Sequence, residues 1–181
     1  MAKKEGSGHG HLHAPDAPFR YCPRCGEQLT PRRIKPHGPE LRACPSCSFV
    51  QYHDPKVATG TLFTLDGGIV LVQRAIPPSY GKLVFPGGFV DRGERLEAAA
   101  IRETREEVNL DVKIDRLLNV YSYEDSAVII VAYAGHVVGG EIQAKDESLD
   151  VKTFPPDNIP WQDLAFRSTH DAIREYIAHY F

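Results

Sequence analysis

Apolar residues recur along the chain in two distinct rhythms. Val57 to Leu65 is a largely apolar run; Asp66-Gly67-Gly68 closes it, and a second run, Ile69 to Gln73, follows. Two such runs around a Gly-rich turn predict a β-hairpin. The stretch 75–88 carries Pro77, Pro78, Gly81, Pro86, Gly87 and Gly88 and reads as loop. Arg95 to Val108 takes the helical rhythm, with an Ala-rich interior and Leu96, Ala99, Ala100 and Ile101 on its apolar side. Asn109 comes next, a residue that tolerates the left-handed backbone used to end helices. Leu117 to Tyr121 and Ser126 to Val138 predict two more strands, the second long enough to bend, and Lys152 to Phe154 a short third. Leu164 to Tyr180 ends the chain as a helix, with Ala172, Ile173, Tyr176 and Ile177 at helical spacing. Strands and helices mix without regular strand–helix–strand alternation, so the expected class is α/β: a sandwich built on a mixed sheet.

Residues 19–53 stand apart, rich in Pro and Arg and poor in apolar runs, and His53-Asp54-Pro55 reads as a hinge. The segment holds Cys22-x2-Cys25 and Cys44-x2-Cys47, with 18 residues between the pairs. That spacing suits a four-cysteine tetrahedral site, because each CxxC turn offers two thiolates to one ion. Zn²⁺ is the expected ion; iron in a tetrathiolate fits the same spacing. Four protein ligands leave no open coordination position, so the expected role is a structural staple, here a small zinc ribbon. Arg24, Arg32, Arg33, Lys35 and Arg42 lend it some positive charge for nucleic acid, but few aromatic residues interleave them.

The helix ending at Asn109 carries the chemistry. Glu103, Glu106 and Glu107 are three and four apart, so their carboxylates project from one helical face. Like charges so placed require a cation, and oxygen-only ligands suit hard ions such as Mg²⁺ or Mn²⁺. A metal held by carboxylates commonly waits for a phosphate, which points to phosphoanhydride cleavage.

The full pattern is Gly88-x5-Glu94-x7-Arg102-Glu103-Thr104-x-Glu106-Glu107-x-Asn109-Leu110. It resembles the Nudix box, with two departures: Thr104 stands where an aliphatic residue is usual, and Asn109 where glycine is. Neither removes a carboxylate. A cysteine ribbon ahead of such a domain looks like the NADH pyrophosphatase group and a related group of FAD and ADP-ribose pyrophosphatases. The proline- and aromatic-rich array of the NADH group is missing; Asn119-Val120-Tyr121-Ser122-Tyr123 occupies the comparable region. Pro55-Lys56-Val57, Pro86-Gly87-Gly88-Phe89, Ile159-Pro160-Trp161 and Leu164-Ala165-Phe166 resemble the second group.

The resemblance implies a Nudix α/β/α sandwich over 54–181; the composition itself sets the ribbon at 19–53 and a flexible, polar tail at 1–18. The resemblance also implies that Glu106 and Glu107 hold the metal, that Glu103 is a ligand or general base, and that Arg102 orients Glu103. Glu94 would support these residues or a second metal, and Gly87 would offer its carbonyl as a backbone ligand beside Gly88. One further acidic ligand is expected from a later loop: Glu147, with Asp146 next in order. Arg74 and Phe85 are placed to meet phosphate and base, with a structural ion pair and a core aromatic as the plainer alternatives. Phe166 and Ser168 follow them, and Trp161 reads as packing. The implied reaction converts FAD to AMP and FMN, or cleaves ADP-ribose; the alternatives are NADH hydrolysis or a non-catalytic nucleotide sensor. A homodimer is also implied.

The chain has 181 residues, 42% apolar and 25% charged, as expected of a globular protein. Its net charge of −3 gives no support to non-specific nucleic-acid binding. No apolar run is long enough for a membrane span. Residues 1–18 lack the apolar core of a secretory signal, and paired cysteines without an export signal point to a reducing compartment, the cytoplasm. His9, His11 and His13 alternate in that lead-in and read as an incidental metal-catching tail or tag remnant.

Overall fold

The computed structural model describes residues 19–181; His9, His11 and His13 lie outside them. The described chain falls into two compact units, 19–55 and 56–181.

The first unit is a three-stranded antiparallel sheet: β1 (Thr30–Arg33), β2 (Glu40–Ala43) and β3 (Val50–Gln51), with β2 central. Its buried residues are few. Cys22, Leu29 and Cys44 form the core cluster, with Cys47 and Phe49 packed against it, while β1 is exposed throughout.

The second unit holds two sheets and two helices. One sheet has the order β8 (Gly87–Phe89), β4 (Lys56–Leu62), β10 (Val128–Gly140), β9 (Leu110–Tyr121). Its β4 and β10 run parallel and its other pairs antiparallel, so it is mixed as expected. The other sheet has the order β11 (Ser148–Phe154), β6 (Gly68–Arg74), β5 (Thr64–Leu65), and β7 (Leu83–Val84) also pairs with β6. Helices α1 (Leu96–Val108) and α2 (Arg167–Tyr180) complete the unit.

The layering follows from strand alternation. On β10, Val131 and Tyr133 pack with Ala100 of α1, whereas Ala132 and Ala134 pack with Ala172, Ile173 and Tyr176 of α2. On β6, Val70 and Val72 join Val108 of α1, while Ile69 and Leu71 join the α2 side. Strands covered on both faces read as continuous apolar runs, and Ile69 to Val72 is buried without a break. The result is the α/β/α sandwich. Among the described residues no helix is long and apolar enough to cross a membrane.

Several boundaries differ from the sequence reading. The strand expected over 117–121 begins at Leu110, directly after the helix end. Leu110, Val112 and Ile114 alternate there with Asp111, Lys113 and Asp115, a period-two pattern hidden by its charge. The expected 75–88 loop contains β7 and the start of β8, which at two and three residues are too short to show periodicity. The last helix starts at Arg167, not Leu164. Leu164 is extended and bridges Leu83, and the Ala165 N–H donates to the Leu83 carbonyl at 2.9 Å. The strand expected over 152–154 begins at Ser148. Trp161 packs against the α2 core and stacks on His170 at 6.0 Å.

Candidate active site

The site forms where α1 lies against β8. Ala99, Ala100, Thr104, Glu107 and Val108 are the buried stripe of α1. Thr104 is wholly buried, and its Oγ1 donates to the Ala100 carbonyl at 2.8 Å, so a hydroxyl is tolerated where an aliphatic residue is usual. At the C-terminus, Asn109 adopts φ 58° and ψ 26°, the left-handed cap. Its Nδ2 donates to the Glu141 carbonyl at 2.8 Å, and its Oδ1 accepts from Lys145 Nζ at 2.7 Å. Glycine could supply the cap but neither bond. The loop is tied down further by the Lys145 N–H to the Glu107 carbonyl (3.0 Å) and the Ala75 N–H to the Glu147 carbonyl (2.7 Å). Replacing Asn109 with Ala should destabilise the protein by about 2 kcal/mol, the sum of left-handed strain and lost hydrogen bonds. Denaturant titration checks this, and an unchanged midpoint would dissociate Asn109 from loop anchoring.

Strand β8 approaches β4 through glycines that allow no side chain. Gly87 faces Gly60 across the ladder. A Cβ on Gly87 would lie 2.6 Å from Gly60 Cα, and one on Gly60 would lie 2.7 Å from the Phe85 ring. A Cβ on Gly88 would overlap the Glu103 carboxylate, with Cδ only 2.5 Å away. Glu103 therefore rests directly on the β8 backbone. Beside it, the Gly87 N–H donates to Glu107 Oε2 at 2.9 Å; the other Glu107 oxygen has no hydrogen-bond partner among the described residues.

Arg102 organises the remaining acids. Its Nε and one terminal nitrogen grip Glu94, both at 2.9 Å. The other terminal nitrogen bonds Glu103 at 2.7 Å and Glu106 at 2.9 Å, and the Phe89 carbonyl takes the last N–H at 3.2 Å. All five guanidinium donors are thus engaged. The orienting bond to Glu103 and the plainer i,i+4 pair to Glu106 coexist. Glu94 also accepts the Asp91 N–H at 3.1 Å, and Arg102 holds its carboxyl down at about 2. Glu94 sits behind Arg102 rather than on the cavity wall.

Burial dominates the electrostatics of Glu107 and Glu103. It pushes the Glu107 carboxyl up to about 8, against the bond from Gly87 and reinforced by Glu103. It raises Glu103 as well, opposed by Arg102. Acidic oxygens left costly to ionise in this way are the donor set a hard divalent cation would relieve. The acids are not yet gathered around one point: among the described residues, the four thiols alone bring three or more ligand atoms within 4.8 Å.

A cavity of about 530 Å³ opens in front of these groups. Of the sequence-predicted residues it is lined by Arg74, Phe85, Gly87, Gly88, Arg102, Glu103, Glu106, Glu107, Asp146, Glu147, Phe166 and Ser168. Arg74 lies over the Phe166 ring at 5.1 Å; burial lowers its pKa while Glu107 and Glu147 raise it. Thr59, Ile76, Asp91, Ile130 and Thr169 also line the cavity. Sequence reasoning missed these: Thr59 and Ile130 sit inside apolar strands, where nothing marks a residue as facing a ligand, and Ile76, Asp91 and Thr169 occupy loop and helix positions that no motif fixes. The segment 119–123 is occupied elsewhere: Asn119 and Tyr121 bond Glu175 at 2.7 and 2.9 Å, and Tyr123 bonds Asp171 at 2.8 Å, all on α2.

In the first unit the thiol sulfurs stand 3.6 Å (Cys22–Cys47), 3.4 Å (Cys25–Cys44) and 3.9 Å (Cys25–Cys47) apart, with no disulfide. A tetrahedron with metal–sulfur bonds of about 2.3 Å has edges of about 3.8 Å. The four cysteines could hold one such ion.

Residues 54–177 match the NUDIX domain. The ADP-ribose pyrophosphatase of Methanocaldococcus jannaschii is 38% identical over 119 residues, 64% of this chain and 69% of that protein. An NAD-capped RNA hydrolase of Pseudomonas aeruginosa is 28% identical over 144 residues, 78% of this chain and 49% of that protein. The chain thus spans about half the length of that relative. A NUDIX hydrolase from Nitrosomonas europaea has the same fold, with a TM-score of 0.83 at 32% identity over 90% of this chain and 92% of that one. With its acidic helix set over a paired-glycine strand and this match across most of its length, the chain belongs to the NUDIX family and is a Nudix hydrolase.

Proposed function

We propose that the protein cleaves the diphosphate bond of a nucleoside diphosphate linked to a second moiety, with ADP-ribose as the leading substrate and FAD, yielding AMP and FMN, beside it. The observation that carries this is one cavity holding Glu103, Glu107 and Glu147 together with the guanidinium of Arg74. The resemblance to an ADP-ribose pyrophosphatase supports the first substrate. NADH is the second reading, favoured by the likeness to NAD-capped RNA hydrolases. The binding of segment 119–123 to α2 weighs against it.

Glu103, Glu106, Glu107 and Glu147 would hold Mg²⁺ or Mn²⁺, with the Gly87 carbonyl beside them. Bound there, such ions act as Lewis acids on the bridge and supply hydroxide. Glu103 takes a proton from the attacking water or ligates, and Arg102 fixes its rotamer. Glu94 positions Arg102, and both act through Glu103. Arg74 neutralises phosphate charge, and Phe85 adds an apolar wall for the base. The four cysteines would hold Zn²⁺ as a staple of the first unit.

The test is AMP formation from ADP-ribose, FAD, NADH and nucleoside triphosphates, with and without Mn²⁺. Divalent-dependent release of AMP from ADP-ribose or FAD is the expected result. Nucleotide binding without hydrolysis of any of them would overturn the enzymatic reading in favour of a sensor.

A further inference from the structure

One end of the cavity gathers hydrogen-bond donors with no acceptor. Helix α2 opens behind Phe166, which makes no capping bond, and its first turn holds no acidic residue. The Thr169 and His170 N–H groups both turn to the Phe166 carbonyl. The N–H groups of Arg167 and Ser168 remain without partners among the described residues, at the positive end of the helix dipole.

Two further observations concern side chains rather than the helix amides. Ser168 is only 6% exposed and lines the cavity, yet its hydroxyl has no hydrogen-bond partner among the described residues. Arg74 spends its Nε on the Pro78 carbonyl at 3.0 Å, and its terminal nitrogens make no hydrogen bond among the described residues. Because the guanidinium lies 5.1 Å from the centre of the Phe166 ring, and Phe166 is the residue from which α2 starts, the cation sits beside the helix opening.

A cavity-lining hydroxyl without a partner, two helix-terminal amides and a guanidinium call for a ligand that accepts from several directions and carries negative charge. A nucleobase edge mixes donors with acceptors and is neutral. A phosphoryl group suits every one of these partners. We infer that the start of α2, through Ser168 Oγ and the Arg167 and Ser168 N–H groups, forms with Arg74 an anion subsite for the substrate phosphoryl group farther from the α1 carboxylates. This rests on the diphosphate reading above and adds to it the seat of the second phosphate. The bridge would then span from α1 to α2, with Arg74 between.

The test uses the full chain without added divalent cation and inorganic phosphate as probe, titrated at constant ionic strength and followed by amide chemical shifts. Phosphate should bind in roughly the millimolar range and move the Arg167 and Ser168 amides. Ser168→Ala should weaken it about tenfold, the worth of one hydrogen bond to a charged group, and Arg74→Gln at least as much. Adenosine should leave those amides unmoved. In turnover, Ser168→Ala should raise KM for ADP-ribose about tenfold with kcat held within about twofold, because the lost contact serves substrate and transition state alike. The half-activating Mn²⁺ concentration should stay the same. Phosphate affinity equal in wild type and both variants overturns the inference, as does adenosine moving the same amides with the same dependence on Ser168. Should no nucleotide in the panel be hydrolysed, the functional reading alone fails, and the phosphate titration still decides the subsite.

Discussion

Glu107→Gln should lower turnover by about two to four orders of magnitude while leaving the protein at least as stable as wild type. The residue is 9% exposed, its carboxyl accepts one bond from Gly87, and it shares one face of α1 with Glu103, whose charge adds to its rise. A glutamine keeps an oxygen for the Gly87 N–H, so the approach of β8 to α1 survives, but it offers no charge to a divalent ion. The same replacement at Glu103 should cost a similar factor, since it removes the charge that Arg102 orients. The stability side has a definite sign. Burial lifts the Glu107 pKa from about 4.3 in an unfolded chain to about 8 in the folded one. Between those values the folded state binds more protons, so without divalent cation wild-type stability falls as pH rises through that window. The Gln variant lacks this loss, and its melting temperature should gain on wild type from pH 5 to pH 8. Near-wild-type kcat in either variant would remove the acids from the chemistry. A melting curve that tracks wild type at every pH would remove the burial argument.

Stripping metal from the four thiols should unfold residues 19–55 and leave 56–181 intact. The first unit buries little beyond Leu29, Ala43 and two of its own cysteines, too small a core to offset the chain entropy of its strands. Structural zinc supplies on the order of 10–16 kcal/mol in comparable small folds, so here metal binding and folding would be one event. Cys44→Ser, which removes a buried ligand, should do the same. Limited proteolysis would show cuts confined to the first unit, and elemental analysis should return one zinc per chain, with a colourless protein. Persistent protection of 19–55 in the Cys44→Ser variant would make the thiols incidental.

The sequence exposed the acid helix best because its information is local: spacing alone sets Glu103, Glu106 and Glu107 on one turn of helix. The long apolar strands β4, β6 and β10 were equally legible, because burial on both faces writes itself as uninterrupted hydrophobicity. What escaped was set by partners distant in sequence. The first half of β9, before Leu117, alternates charged with apolar residues and escaped the strand reading; β7 and β8 exist only because β6 and β4 offer them ladders. The arrangement of Arg102 could be anticipated for Glu103 and Glu106, but its grip on Glu94 depends on the turn at Asp91, which no spacing rule encodes. Ser168 was a candidate from the resemblance, but its place in the first turn of α2 emerged only once that helix proved to start at Arg167 rather than Leu164.

The facing glycines of β4 and β8 have a bearing on any attempt to evolve this enzyme toward new substrates. Gly60 and Gly87 set the height of the shelf on which Glu103 and Glu107 rest. Any bulk inserted there would prise the shelf from the sheet and carry the acids with it, so mutational tolerance at these two positions should be near zero. A directed-evolution library is better spent on Ile76, Ile130 and Phe166, which border the cleft without supporting that shelf.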